Sequence, residues 1–382
     1  MPRAGNRTKR TVKRPASPKP QASISSTDRR AAAAAIEPEG WKGALRQYVQ
    51  LYNQAEIDRY APAFETLLRD PDHLARYGSK LARLKEAELL RGAIPGKSET
   101  KVEIERVSES ASGREVIVLL KLHISRAVEQ LGRTYTEYRA ERERIWLSRE
   151  GGEYRITRIE PSLSERRPRY ALRDPLSAAA DAFFEEDVDG AAFATGSKPF
   201  INYDVLSGFK PSRGIRYRRD LAAEYADRWW NEANPAYENF EVNCTNYVSQ
   251  CLFAGQAPMN YTGKRDSGWW YKGRAGGRES WSYSWAVSNA LQIYLGATRR
   301  VGLRAEAVES ASELALGDVI MYDWSGDGRF QHSTIVTAFD ASGMPLVNAN
   351  TVPSRHRYWD YKDSYAWTEQ TRYRFFHIAD EF

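Results

Sequence analysis

The apolar residues of this chain change their period once, and that change limits what its first half can build. Trp41, Leu45, Tyr48 and Tyr52 recur at helical spacing, and so do Leu74, Tyr77, Leu81 and Leu84 after the break at Asp70-Pro71. The second stripe stops before Gly92 and Pro95. Beyond Gly96 the spacing falls to two. Val102 and Ile104 alternate with charged residues, and residues 116–122 form a dense β-branched and leucine run. Residues 134–146 read as a long extended stretch whose charge density leaves a helix open. Gly151-Gly152, between 145–147 and 154–159, is placed as a hairpin turn. Two helices followed by an antiparallel sheet make residues 38–160 a small α+β domain. It shows no evident cluster of His, Cys or carboxylates at ligand spacing.

A chain of 382 residues is long for one hydrophobic core, so a second domain is expected. Residues 161–210 form a heterogeneous connection containing Pro168, Pro175, Gly190, Gly196 and Pro199, with room for a short helix near 176–184. Helical spacing resumes with Leu221, Tyr225 and Trp229, and residues 211–382 make the second domain. The helix-then-sheet order of 38–160 resembles the layout of cystatin-like accessory domains.

The net charge of +6 belongs to one end. The first 30 residues carry nine Lys and Arg against Asp28, which leaves the rest slightly acidic. Residues 1–37, with Pro15, Pro18 and Pro20 among Ser and Lys, read as a disordered basic tail. Nothing in the folded region calls for a nucleic-acid groove. Two cysteines exclude a disulfide-dense scaffold. No apolar run nears the roughly 18 residues of a membrane span. Residues 31–36 are too short for an export signal and are interrupted by Glu37, Pro38 and Glu39, so a cytoplasmic location is expected.

The most informative stretch is Asn243-Cys244-Thr245-Asn246-Tyr247-Val248-Ser249-Gln250-Cys251. Cys244, Tyr247, Val248, Cys251 and Leu252 share one face of a helix, which is expected to point inward. Asn243 is placed to cap the helix, and Cys244 then lies in its first turn. There free N–H groups and the helix dipole favour a thiolate and could hold an oxyanion. An isolated buried Cys is otherwise a small hydrophobe, the reading given to Cys251. About 10.5 Å of helical rise separates the two, too far for a disulfide.

A thiolate mechanism needs an imidazole. His73, His123, His356 and His377 fall in a helix, at a strand, in a polar loop and near the C-terminus, and are read as structural or surface residues. His332 follows the Gly- and Asp-rich turn 323–328 and opens the strand 333–339, opposite the strand 316–322. Asn348 and Asn350 share one face of the next strand. Either could orient an imidazole, and both could equally mark a solvated edge. Asp323 and Asp327 lack the full spacing of a calcium loop and are read as a plain turn. No cofactor and no metal is expected.

Residues 217–250, with Leu221-Ala222-Ala223-Glu224-Tyr225-Ala226 and Cys244-Thr245-Asn246-Tyr247-Val248-Ser249-Gln250, resemble the bacterial putative amidase domain family. Trp281-Ser282-Tyr283-Ser284-Trp285, Gly317-Asp318-Val319 and His332-Ser333 follow in the family's order, over about 160 residues in all. The resemblance implies a papain-like α+β fold, remotely related to NlpC-type and CHAP cysteine hydrolases. It also implies Cys244 as nucleophile and His332 as base. A third polar member is implied at Asn350, where relatives are expected to carry His, with Asn348 as the alternate.

The implied reaction is hydrolysis of an amide bond in a peptide, a peptidoglycan cross-link or a small amide, through a thioester. Asn243 and Gln250 would border the cleft. Trp269, Trp270, Tyr271, Trp281 and Trp285 are available to line it, with at least half of them expected in the core. The alternative is an inactive binding or scaffold protein on a hydrolase fold.

Overall fold

The computed structural model describes residues 40–161, 214–275 and 278–382. The expectations for the tail 1–37 and for the connection after Pro161 lie outside them.

The N-terminal region opens with helix α1 (Gly40–Asp58) and helix α2 (Pro71–Arg91). Asp70 begins α2 by accepting from His73 N–H through Oδ1, while its Oδ2 accepts from Ile159 N–H, both at 2.9 Å. One side chain thus caps the helix and ties it to the sheet. Gly92, at φ 63°, ends the helix in the left-handed conformation. Four antiparallel strands follow: β1 (Ala93–Glu109), β2 (Glu115–Gln130), β3 (Arg133–Glu150) and β4 (Glu153–Pro161). Gly151 and Gly152 turn β3 into β4 at positive φ, with Glu150 opposite Glu153.

The stretch 134–146 is therefore strand throughout. Its charges are numerous because one face of β3 carries Glu137, Arg139 and Glu143 inward, beside Ile145 and Leu147. The apolar half of that face packs with Tyr48, Tyr52, Tyr77 and Leu81 of the two helices. At the other half sits a buried ionic network. Glu56 is 3.3 Å from Arg139, 3.6 Å from Arg126 and 3.7 Å from Lys80. Arg126 pairs with Glu137, and Arg139 with Asp363. Burial raises the Glu56 carboxyl, yet Lys80, Arg139, Arg59 and Arg126 together hold it down to about 2.

The C-terminal domain contains helices α3 (Arg219–Trp229), α4 (Cys244–Ala254), α5 (Tyr283–Ala286) and α6 (Ser288–Leu295), with the small hairpin β5 (Tyr271–Ala275) and β6 (Arg278–Trp281). Its larger strands are β7 (Ala305–Val308), β8 (Val319–Asp323), β9 (His332–Phe339), β10 (Pro345–Ala349), β11 (Ser354–Tyr358) and β12 (Arg372–Ile378). They continue the first sheet, giving the order β1-β2-β3-β11-β10-β9-β8-β12-β7 with β4 on β3. The join is narrow: Arg139 faces Ser354, Tyr138 faces Arg355, and Ala140 N–H donates to Pro353 O at 2.8 Å.

Strand alternation gives the C-terminal domain a core on each face of its sheet. Val319, Met321 and Ile335 face α3, α4 and α6. Ile320, Tyr322 and Val336 face a largely aromatic layer with Trp324 and Tyr361. The architecture is an α+β fold with an N-terminal helix-and-sheet region and a distinct C-terminal α+β domain. In α3 the deepest positions are Ala222 and Ala226, whereas Leu221, Tyr225 and Trp229 are only half-buried. Small residues sit at the bottom there because α3 packs closely on α4. Among the described residues no helix is long and apolar enough to cross a membrane.

Candidate active site

Helix α4 is buried on every side from Cys244 to Leu252, not on one face as its periodicity predicts. It lies between α3, α5 and α6 and the strands β9 and β10, so even its polar residues need internal partners. Trp285 Nε1 donates to Asn246 Oδ1 at 2.8 Å and Trp269 Nε1 to Ser249 Oγ at 3.0 Å. Tyr225 Oη donates to Gln250 Oε1 at 2.8 Å. The Trp281–Trp285 segment is thus a clamp on the helix. Trp269, Trp270, Tyr271, Trp285 and Gln250 are core residues and do not border the cavity described below. Trp281 reaches it only indirectly, meeting the cavity residue Phe240 edge-on at 5.1 Å.

At the start of α4 the expected cap is replaced. Asn243 has φ −107° and ψ 3° and makes no capping bond to the helix backbone. Its amide instead donates to Asn350 Oδ1 at 2.7 Å, and its Oδ1 accepts from Asn246 Nδ2 at 2.8 Å. The Cys244 N–H, one of the groups available for an oxyanion, donates to Thr351 Oγ1 at 2.8 Å. Next in the chain, Thr245 Oγ1 lies 3.1 Å from Ser333 Oγ, which joins α4 to the start of β9.

His332 opens β9 in register with Tyr322 of β8, so the expected hairpin is present. Its imidazole is fully buried among Tyr361 at 5.3 Å, Tyr322 at 5.5 Å and Trp324 at 5.8 Å between ring centroids. Neither ring nitrogen makes a hydrogen bond among the described residues. The electrostatics of Cys244 nevertheless register the ring. Burial is the largest single influence and raises the thiol, and the charge of His332 is the largest of several influences that together outweigh it. A loose sulfur contact to the ring that falls short of hydrogen-bond geometry adds to this, as do Thr351 and the Ser333 backbone, and the thiol is lowered to about 6. Cys251, buried without such company, is pushed well above its ordinary value.

Neither asparagine reaches the imidazole. Asn348 accepts from Thr337 Oγ1 and His356 N–H and donates to Asp227, each at 2.8 Å. Asn350 accepts from Asn243 and donates to the carbonyls of Trp229 and Trp230 at 2.9 Å. Asn350 and Asn348, the candidates for a third polar member, have these other partners among the described residues. Both amides are used to tie β10 to α3 and its following loop, and the ring is oriented by aromatic packing.

The other histidines have places of their own. His73 stacks on Tyr77, His123 pairs with Glu103, His356 lies 3.4 Å from Asp227, and His377 is 2.7 Å from Asp318. Asp318 also takes Arg219, Ala315 N–H and Ile378 N–H, so the Gly317-Asp318-Val319 motif is a structural knot. Asp323 accepts from the N–H groups of Ser325, Gly326 and Gly328, as a turn does. Among the described residues no group of three or more His, Cys, Asp or Glu is gathered as a metal would need.

A cavity of about 320 Å³ ends at Asn243, Asn350 and Thr351, the residues flanking Cys244. Cys244 itself is only 1% exposed. Sequence reasoning missed Thr351, because a hydroxyl that meets the helix start from another strand has no local pattern. It also missed that residues of the N-terminal region share the cavity wall.

Parts of the chain are similar to known proteins. The model of the family described as a putative amidase domain matches residues 216–376. An uncharacterized protein, YhbB, of Bacillus subtilis (strain 168) is 54% identical over 169 residues, which are 44% of this chain and 52% of that protein. The chain therefore spans about half the length of this curated relative. The intermembrane space region of the chloroplast protein ARC6 aligns with 32% of this chain and 92% of its own, at 15% identity and a TM-score of 0.24, a likeness that carries no argument.

Proposed function

Residues 216–376 are assigned to the amidase domain family, and from that premise we propose that this domain hydrolyses an amide bond with Cys244 as nucleophile and His332 as acid and base. The observation that carries the reading is the Cys244 thiol, lowered to about 6 although it is buried, with His332 as the main lowering influence. Burial alone drives a thiol the other way, as Cys251 illustrates. In the proposed reaction the thiol proton passes to His332, and the sulfur acts as the thiolate.

In this reading the Cys244 sulfur attacks the carbonyl carbon and the carbonyl π electrons move to oxygen. Collapse breaks the C–N bond as His332 gives its proton to the departing amine, leaving a thioester. Water then attacks the thioester while His332 takes a proton, and the carboxylic acid leaves as the thiolate re-forms. The Cys244 N–H is one candidate oxyanion donor, freed when Thr351 turns away. A cysteine at a helix start packed against a strand bearing the histidine supports a papain-like layout. Two helices against a long antiparallel sheet support a cystatin-like layout for the N-terminal region.

The test is labelling of the whole protein with a library of electrophilic amide mimics, with the modified residue mapped by mass spectrometry. The label is expected on Cys244, and both label and hydrolysis should vanish in Cys244→Ala while folding persists. Labelling of Cys251 instead, or hydrolysis that survives Cys244→Ala, would overturn the proposal. An inert scaffold on this fold would give a Cys244 no more reactive than an ordinary thiol.

A further inference from the structure

The cavity beside Cys244 is lined in part by residues of the N-terminal region. Lys121 of β2 and Arg142 of β3 stand directly opposite each other in the strand register, and both line the cavity with Ala140. Two cations paired across a sheet repel one another. Their surroundings compensate them incompletely. Arg142 Nε donates to Glu105 at 2.9 Å, and the terminal nitrogens of its guanidinium make no hydrogen bond among the described residues. Glu103 faces Lys121 from β1; its carboxylate bonds His123 at 2.9 Å, and the charges of Lys121 and Arg142 also help to lower it. Lys121 itself makes no hydrogen bond or close ion pair among the described residues.

Glu232 and Glu241 also line the cavity, Glu232 lying 3.8 Å from Arg228, and so do Asn243, Asn350 and Thr351 next to Cys244. Ala140 N–H donates to Pro353 O at 2.8 Å, and β3 pairs with β11 just beyond, which ties the strand carrying Arg142 to the segment that follows Thr351.

We infer that Lys121 and Arg142 form a carboxylate subsite of the active site. The substrate is then a peptide or amide bearing a free carboxylate, which the N-terminal sheet grips while the bond to be cut lies at Cys244. This rests on the reading of Cys244 as nucleophile given above. A cavity of about 320 Å³ suits a short peptide segment at the small end of ligand sites. Glu232 and Glu241 in the same lining disfavour a polyanion such as a phosphate-rich ligand. They suit a substrate whose carboxylate is balanced by an amine. A planar guanidinium beside an ammonium matches a carboxylate through charge-assisted hydrogen bonds.

The test uses chloroacetyl-glycine, chloroacetyl-γ-aminobutyrate and chloroacetyl-ε-aminohexanoate, each paired with its carboxamide, on the full chain. The rate of Cys244 alkylation is read for each. The acid is expected to react faster than its amide at one spacer length, by about fivefold or more, with the ratio shrinking as salt is added. The ratio should fall to about one in the Lys121→Gln/Arg142→Gln variant and persist in Arg142→Lys. A ratio at or below one at every spacer, or one that survives the double glutamine variant, overturns the subsite. Iodoacetamide separates this from the parent reading: if it spares Cys244, the nucleophile reading fails. The subsite is then judged by calorimetry of the same acids and amides with Cys244→Ala, where equal affinities overturn it.

Discussion

The two regions of the molecule bury charge in opposite ways. Under the N-terminal helices, Glu56 lies among Lys80, Arg59, Arg126 and Arg139, and Asp363 between Arg139 and Arg357. Glu56 and Asp363 each have several cationic partners that hold their carboxyls below the ordinary value, and the network's role is structural. Beside α4, the proposed site has one imidazole whose charge lowers one buried thiol, and the ring sits within a wall of aromatic rings with neither nitrogen hydrogen-bonded among the described residues. Redundant compensation freezes a buried proton, whereas a lone pair of groups leaves it able to move near neutral pH.

Breaking the lone pair should have the largest effect. Cys244→Ala is expected to lower hydrolysis by on the order of 10⁴-fold or more while leaving thermal unfolding nearly unchanged, as turnover assays and calorimetry would reveal. Breaking the redundant network should do the reverse. Glu56→Ala removes the anion shared by four cations and should cost about 3–5 kcal/mol of stability, measured by denaturant unfolding. Iodoacetamide reactivity at Cys244 should survive it under conditions where the protein stays folded.

Glu143 sharpens the comparison, because it lies at the edge of the network without a close cation. Burial and the neighbouring Glu141 push its carboxyl up from 4.5 to about 7, against the pull of the Tyr48 hydrogen bond. The folded protein therefore keeps a proton there that the unfolded chain releases. The resulting contribution is complete below 4.5 and is lost as pH rises through about 7. Glu143→Gln should remove that loss, a change on the order of 2–3 kcal/mol at most, seen as a flatter pH profile of unfolding free energy. The smallest effect belongs to Thr351→Val, which deletes the hydroxyl favouring the thiolate. It should raise the Cys244 thiol by about half a unit, read from the pH dependence of its alkylation.

Much of the frame is legible from periodicity and turn chemistry. Asp70-Pro71 and Gly92 mark α2 because a carboxylate cap and a left-handed C-terminus have local signatures, and Gly151-Gly152 does the same for the β3–β4 turn. The charged stretch 134–146 is ambiguous in sequence because Glu137, Arg139 and Glu143 point inward, and burying ions against ions hides the alternation that apolar residues would display. At the site, Cys244 and His332 stand out by position, one before a helical run and one after a glycine-rich turn. The residue types of Asn243, Asn348 and Asn350 allow the roles expected of them, but amides bond wherever a partner lies, and theirs are on α3, β11 and each other. The size of the tryptophans suggests a cleft, yet they pack in the core because α4 needs a wall on every side.

The pH dependence of Cys244 alkylation by iodoacetamide, followed residue by residue in the intact protein and in His332→Ala, tests the central claim most directly. A rate that reaches half its plateau near pH 6, and moves up by more than a unit without the imidazole, is the predicted result. An inflection at or above the ordinary thiol value of about 8.5, the same with and without His332, would contradict it.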